Sequence, residues 1–226
     1  MTMKSKQQYA PVTLNHQSMD FDFRYYKPIE NYGVIGNLHS VALVGMDGSI
    51  DWCCFPHIDS PSIFASILDC HKGGFFKIAP KSSAVEKQVY LPESCILNTR
   101  FSTTDGVAEI VDFMPIIKDS KQKHQKHQII RRVRGVRGKM QFKLHCEVAF
   151  DYARTKADIQ LDKRGAVFLS KDSAIGLMSP AELKVAKDQV VASEFMVEEG
   201  KTYDFVLRHM QPNKAEQILK SGEAWS

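Results

Sequence analysis

Along most of the chain, apolar and polar positions alternate in short runs that turn residues interrupt at close spacing, which is the signature of antiparallel strands. "SVALVG" and "SIDWCCF" flank Met46-Asp47-Gly48, and Asp-Gly between two such runs predicts a hairpin. In the second run Ile50, Trp52 and Cys54 fall on one face and Ser49, Asp51 and Cys53 on the other. The runs "FFKIAP", "EKQVYLP", "CILNTRFST", "GVAEIVDFMPI", "HQIIRRVRG", "GKMQFKLHCEVAF", "ADIQLD", "GAVFLS", "AIGLMS", "QVVASEFMV" and "TYDFVLRHM" continue the pattern. Turns are predicted at Thr104-Asp105-Gly106, from Gly135 to Gly138, and at Asp162-Lys163-Arg164-Gly165.

Two segments read as helical. Ser60-Pro61 starts a short helix near 61–69, with Ser60 as its cap and Ile63, Phe64, Ile67 and Leu68 on one face. "NKAEQILKSGEAW" reads as the start of a second helix at the C-terminal end. The expected fold is therefore all-β, an antiparallel two-sheet sandwich, with residues 1–24 as a polar, flexible leader and the sandwich over 25–210. Residues 211–226 would begin a helical linker.

Composition narrows the possible functions. With 43% hydrophobic residues the 226-residue chain can bury a sizeable core, and a net charge of +4 is mild for a nucleic-acid binder. No run approaches the roughly 18 apolar residues of a membrane span, and the N-terminus lacks the apolar core of a secretory signal. Five cysteines without a C-x-x-C pair suit a reducing compartment, so a cytoplasmic location is expected.

Candidate chemistry is sparse. Asp47 and Asp51 straddle the hairpin, but Asp47 is most simply a turn residue. Glu109 and Asp112 differ in strand face and are not expected to converge as an acid/base pair. His124 and His127 lie in a lysine-rich loop without a third ligand at usable spacing, and His57 and His71 make no better metal pair. No metal or other cofactor is implied. Basic residues gather between Lys118 and Lys143, yet Phe142 is the one aromatic among them, which suits a solvated or interdomain hairpin better than a nucleic-acid reader. Trp52, Tyr32, Phe75, Phe76 and Tyr90 could stack on sugars if the sandwich were a free-standing carbohydrate-binding module, or serve as core.

The stretch "YYKPIENYGVIGNLHSVALVGMDGSIDWCCFPHIDSPSIFASILDCHKGGFFKIAP" (25–80) resembles the N-terminal, trehalase-like domain of family-15 glycoside hydrolases, the glucoamylase and trehalase group. "QVYLPESCILNTRFSTTDGVAEIVDFMPI" and "HQIIRRVRGVRGKMQFKLHCEVAFDYAR" resemble its next two blocks. His57, Ile58 and Cys53 depart from the family pattern, where Arg, Phe and Leu are expected. The resemblance implies a β-sandwich joined by a helical linker to an (α/α)6 barrel, the chain's intramolecular partner, which carries both catalytic glutamates of an inverting α-glucosidase. It implies no catalytic residue in this chain. His57, Asp59, Ser60 and Pro61 are expected at the domain interface or the rim of the α-glucoside pocket, with cap formation as the simpler role for Asp59 and Ser60. Asn37, Trp52 and Arg100 match the family as core or turn supports.

Overall fold

The computed structural model describes residues 25–117, 127–186 and 189–215. The expected leader, His124, the lysines of 118–126 and most of the expected C-terminal helix lie outside the described residues. A 3-10 turn at Ile29–Asn31 leads into fifteen strands. They are β1 Tyr32–Gly36, β2 Val41–Gly45, β3 Ser49–Cys54, β4 Ser62–Ala65, β5 Phe75–Pro80, β6 Val85–Tyr90, β7 Leu97–Ser102 and β8 Gly106–Phe113. After these come β9 Gln128–Glu147, β10 Asp158–Asp162, β11 Gly165–Leu169, β12 Ala174–Met178, β13 Lys184–Val185, β14 Val191–Glu198 and β15 Thr202–Met210.

All strand pairs are antiparallel and form two sheets that share β9. In the first sheet β1, β2, β3, β5, the C-terminal half of β9, β14 and β13 lie in that order, with β4 also on β3. In the second, β6, β7, β8, the N-terminal half of β9, β15, β12, β11 and β10 follow one another. One core lies between them: Phe142 meets Phe101 edge to face with ring centroids 6.1 Å apart, and Phe195 meets Phe205 at 5.2 Å. The all-β sandwich is as expected.

Strand β9 departs from the sequence reading. No turn separates its halves at Gly135–Gly138; the strand runs for 20 residues and passes from one sheet to the other there. Ile129, Arg131 and Val133 are buried on the first half, and Met140, Phe142, Leu144 and Cys146 on the second, so the buried set changes parity. A bulge causes the change: Val107 faces Arg137 and Ala108 faces Gly135, leaving Val136 unpaired. Gly138 takes φ +64, and a Cβ on it would lie 2.2 Å from the Asp105 carbonyl oxygen. Two glycines mark a bend here rather than a hairpin.

The predicted helix near 61–69 is also corrected. Ser62–Ala65 is strand β4, all four residues are buried, and Phe64 pairs with Cys53 and Ala65 with Trp52. The spacing of Ile63, Phe64, Ile67 and Leu68 fits a helix, but pairing with β3 outweighs local propensity. A helix-like turn survives only after the strand, where Leu68 and Asp69 donate backbone hydrogen bonds to the Ala65 carbonyl. At the other end of the chain, residues 212–215 are helical, and Ala215 packs on Val167, Leu169, Ala174 and Met210.

Candidate functional site

The weighed carboxylates resolve into ion pairs. Asp51 accepts hydrogen bonds from Lys27 (2.5 Å) and Tyr32 (2.8 Å), Asp47 accepts from Lys77 (2.6 Å), and the Ser49 hydroxyl lies within reach of both carboxylates, 2.9 Å from Asp47 and 3.0 Å from Asp51. Burial works against ionisation of Asp47, but the ammonium groups of Lys77 and Lys27 outweigh it and hold the carboxyl below its ordinary range. Burial and the two nearby carboxylates push Tyr32 up. Glu109 sits between Arg100 and Arg134 on the neighbouring strands; burial opposes its charge, and the two guanidinium groups more than compensate. Asp112 pairs with Arg131 instead, so Glu109 and Asp112 do not converge.

Among the described residues of the basic stretch, four are held in the same way. Arg131 is fully buried, Arg132 pairs with Asp204, Arg134 with Glu109, and Lys143 lies 3.7 Å from Glu194. Four of the five sugar-stacking candidates are engaged elsewhere, and Trp52 is half-buried beside Tyr152. Phe75 and Phe76 are core, the Tyr90 hydroxyl bonds the backbone of Val34, and the Tyr32 hydroxyl bonds Asp51.

What converges is one end of the sandwich. The corner after β3 carries a cis Phe55–Pro56 peptide and then closes on itself. The backbone N–H of His57 donates to the Ser60 hydroxyl (3.1 Å), and the N–H of Ser60 donates to the His57 carbonyl (3.1 Å). Ser60 therefore caps this turn and not a helix. His57, Ile58, Asp59 and Pro61 are exposed, and Ser60 is half-buried. Ile58 N–H donates to the His39 carbonyl (2.9 Å), which ties the corner to the β1–β2 loop.

Beside the corner lies a cleft of about 570 Å³. Phe55, Pro61, Ile63, Phe150, Asp151 and His209 are among the residues that line it. Phe150 and Asp151 belong to the turn Phe150–Ala153, in which Asp151, Tyr152 and Ala153 all have φ between 51 and 64. Left-handed backbone at non-glycine residues costs on the order of 1–2 kcal/mol each. Here the turn is held by Tyr152 N–H donating to the Ser62 hydroxyl (3.2 Å) and Thr155 N–H donating to the Phe150 carbonyl (3.1 Å). Backbone strain that its surroundings hold in place is characteristic of functional surfaces.

Histidines also gather at this end. Ring centroids of His57 and His127 are 5.1 Å apart, of His39 and His127 5.5 Å, of His39 and His57 5.9 Å, and of His127 and His209 6.3 Å. Burial and the adjacent His127 and His57 push His209 down to about 4. Among the described residues, no three His, Cys, Asp or Glu side chains are arranged to hold a metal ion. Sequence spacing paired His57 with His71 and His127 with His124, and missed His39 and His209. Their one shared signal is position, since each lies at or beside a strand end.

Residues 24–215 match the family described as trehalase-like, N-terminal. The chain belongs to this family. It is 30% identical over 175 residues to a trehalase of Thermoplasma volcanium, covering 76% of this chain and 28% of that one. It is 32% identical over 179 residues to trehalase 2 of Sulfolobus acidocaldarius, with 78% and 28% covered. A trehalase of Mycolicibacterium smegmatis is 33% identical over 146 residues, which is 58% of this chain and 22% of that protein. The trehalase-like domain thus spans under a third of the length of these curated relatives, and among the described residues no helix is long and apolar enough to cross a membrane.

Proposed function

We propose that this trehalase-like domain is the non-catalytic N-terminal part of an inverting α-glucosidase acting on trehalose. In this reading its end face docks on a C-terminal catalytic domain of (α/α)6-barrel type and borders the substrate pocket. His57, Asp59, Ser60 and Pro61 form the interface corner, and a cytoplasmic location belongs to the same reading.

The observation that carries it is the apolar surface around the corner. Leu38 is 96% exposed, Ile58 61% and Ile116 64%. They are neighbours, because Ile58 bonds the carbonyl of His39 and the Asn37 side chain donates to the Pro115 carbonyl (3.4 Å). Three adjacent large apolar side chains in water favour burial against a partner. The end of β15 supports the same choice, since His209 borders the cleft.

The test is a chimera in which this chain replaces the matched portion of the T. volcanium trehalase. Amide exchange at Ile58, Ser60 and Tyr152 should slow relative to the isolated chain, while exchange on the outer face of β6 stays unchanged. Equal exchange at the corner in both proteins would contradict docking through this face.

A further inference from the structure

Four of the chain's eight histidines meet at the end face from four separate segments. His39 lies in the β1–β2 loop, His57 on the corner, His127 at the start of β9 and His209 near the end of β15. The rings pack tilted or edge to face, an arrangement that suits neutral imidazoles. Each proton added places a like charge within 5.1–6.3 Å of another ring that can charge.

Among the described residues, the other charged groups around the cluster are few and of mixed sign. The corner contributes Asp59. Strand β15 contributes Arg208, whose guanidinium is engaged with Gln128 (3.0 Å), and the cleft that His209 borders contributes Asp151, Lys171 and Asp172. The 113–117 segment behind Ile116 contributes no titratable side chain. Residues 118–126 lie outside the described residues.

We propose that this histidine cluster is a proton sensor: on acidification the charged rings separate the 55–61 corner from β9 and β15, and the end face loses its docking shape. The proposal rests on the docking role given above and adds its regulation. The direction follows from His209. Its closed-state pKa of about 4 lies below the ordinary histidine value. An opened face therefore takes up the proton first. The closed form is favoured fully above about pH 6.5 and progressively less as pH falls toward 4.

The test uses the 226-residue chain itself. Amide exchange, corrected for its intrinsic pH dependence, is followed at Ile58, Ser60 and His209, with imidazole titration read by NMR. Protection at these three amides should fall about tenfold or more between pH 7.5 and 5, while Phe76 and Leu144 in the sheet keep theirs. In a His57→Gln/His127→Gln variant the fall should vanish and the His209 pKa should rise. Should that variant not fold, His57→Gln alone, at an exposed ring, should reduce the fall and raise the His209 pKa in part. Corner protection that tracks the sheet at every pH, or a His209 pKa indifferent to its neighbours, would overturn the proposal. The chimera at pH 7.5 separates the two readings. Absence of corner protection there defeats the docking role, whereas protection combined with a pH-insensitive corner defeats only the sensor.

Discussion

Arg131 sits in a run of basic residues yet reaches no solvent. Its guanidinium donates to both Asp112 carboxylate oxygens (2.8 and 3.1 Å), to the Phe76 carbonyl (2.8 Å) and to the Gly48 carbonyl (2.8 Å). It also lies 4.9 Å from the Phe76 ring centroid. Asp112 and Arg131 face each other on β8 and β9, while Phe76 lies on β5 and Gly48 in the β2–β3 turn of the other sheet, so one side chain ties the two layers together. Removing one member of a buried pair strands the other charge, which costs about 3–5 kcal/mol. Arg131→Met should lower the denaturant-extrapolated stability by that order, and Arg131→Met with Asp112→Leu should recover much of it. A double variant no more stable than the single one would show that the fold needs the ion pair itself.

Asp47 and Glu109 make a second prediction at this scale. Each carboxyl is held below its ordinary range by cationic partners. Their contribution to stability is therefore complete above the ordinary carboxylate range and is lost as pH falls through it and below. The unfolding midpoint should drop on acidification below about pH 4. In a Lys77→Met variant, which leaves Asp47 with a weaker charge partner, part of that drop should move to higher pH.

Among the elements, the hairpin around Met46-Asp47-Gly48 was legible because its chemistry is local. Gly48 has φ +80, and its N–H donates to the Gly45 carbonyl (2.9 Å). The turns at Thr104–Gly106 and Asp162–Gly165 were legible for the same reason, with Thr103 N–H reaching the Gly106 carbonyl (2.9 Å) and Arg164 N–H reaching Asp162 (2.8 Å). Strand β4 was not, because four apolar-rich residues fit either period and only β3 selects the extended form. The β9 bend was read as a hairpin because Gly135 and Gly138 signal a turn, while the bulge that re-aims the strand depends on β8. The histidine cluster was illegible, since its members are up to 170 residues apart (His39 to His209) and meet through sheet topology alone. Gly138→Val should test the bend. With φ +64 and the Asp105 carbonyl so near, the substitution should cost about 1–3 kcal/mol in thermal or denaturant unfolding. An unchanged stability would mean that the bend does not require that backbone conformation.

The whole molecule carries ion pairs and aromatic packing through its body, and one end brings Leu38, Ile58 and Ile116 together with a strained turn and a histidine cluster. A free-standing domain gains little from that end face, whereas one that closes on a larger catalytic partner gains an interface. The chain spans 28% of the length of two trehalases it is similar to, which leaves room for such a partner in the proposed reading. The most direct measurement is trehalose hydrolysis by the chimera, compared with the isolated chain and with a chimera carrying Leu38→Asp and Ile58→Asp. The account predicts turnover by the chimera, none by the isolated chain, and a loss of about tenfold or more with the two end-face substitutions. Trehalose hydrolysis by the isolated chain, or a chimera indifferent to Leu38 and Ile58, would contradict it.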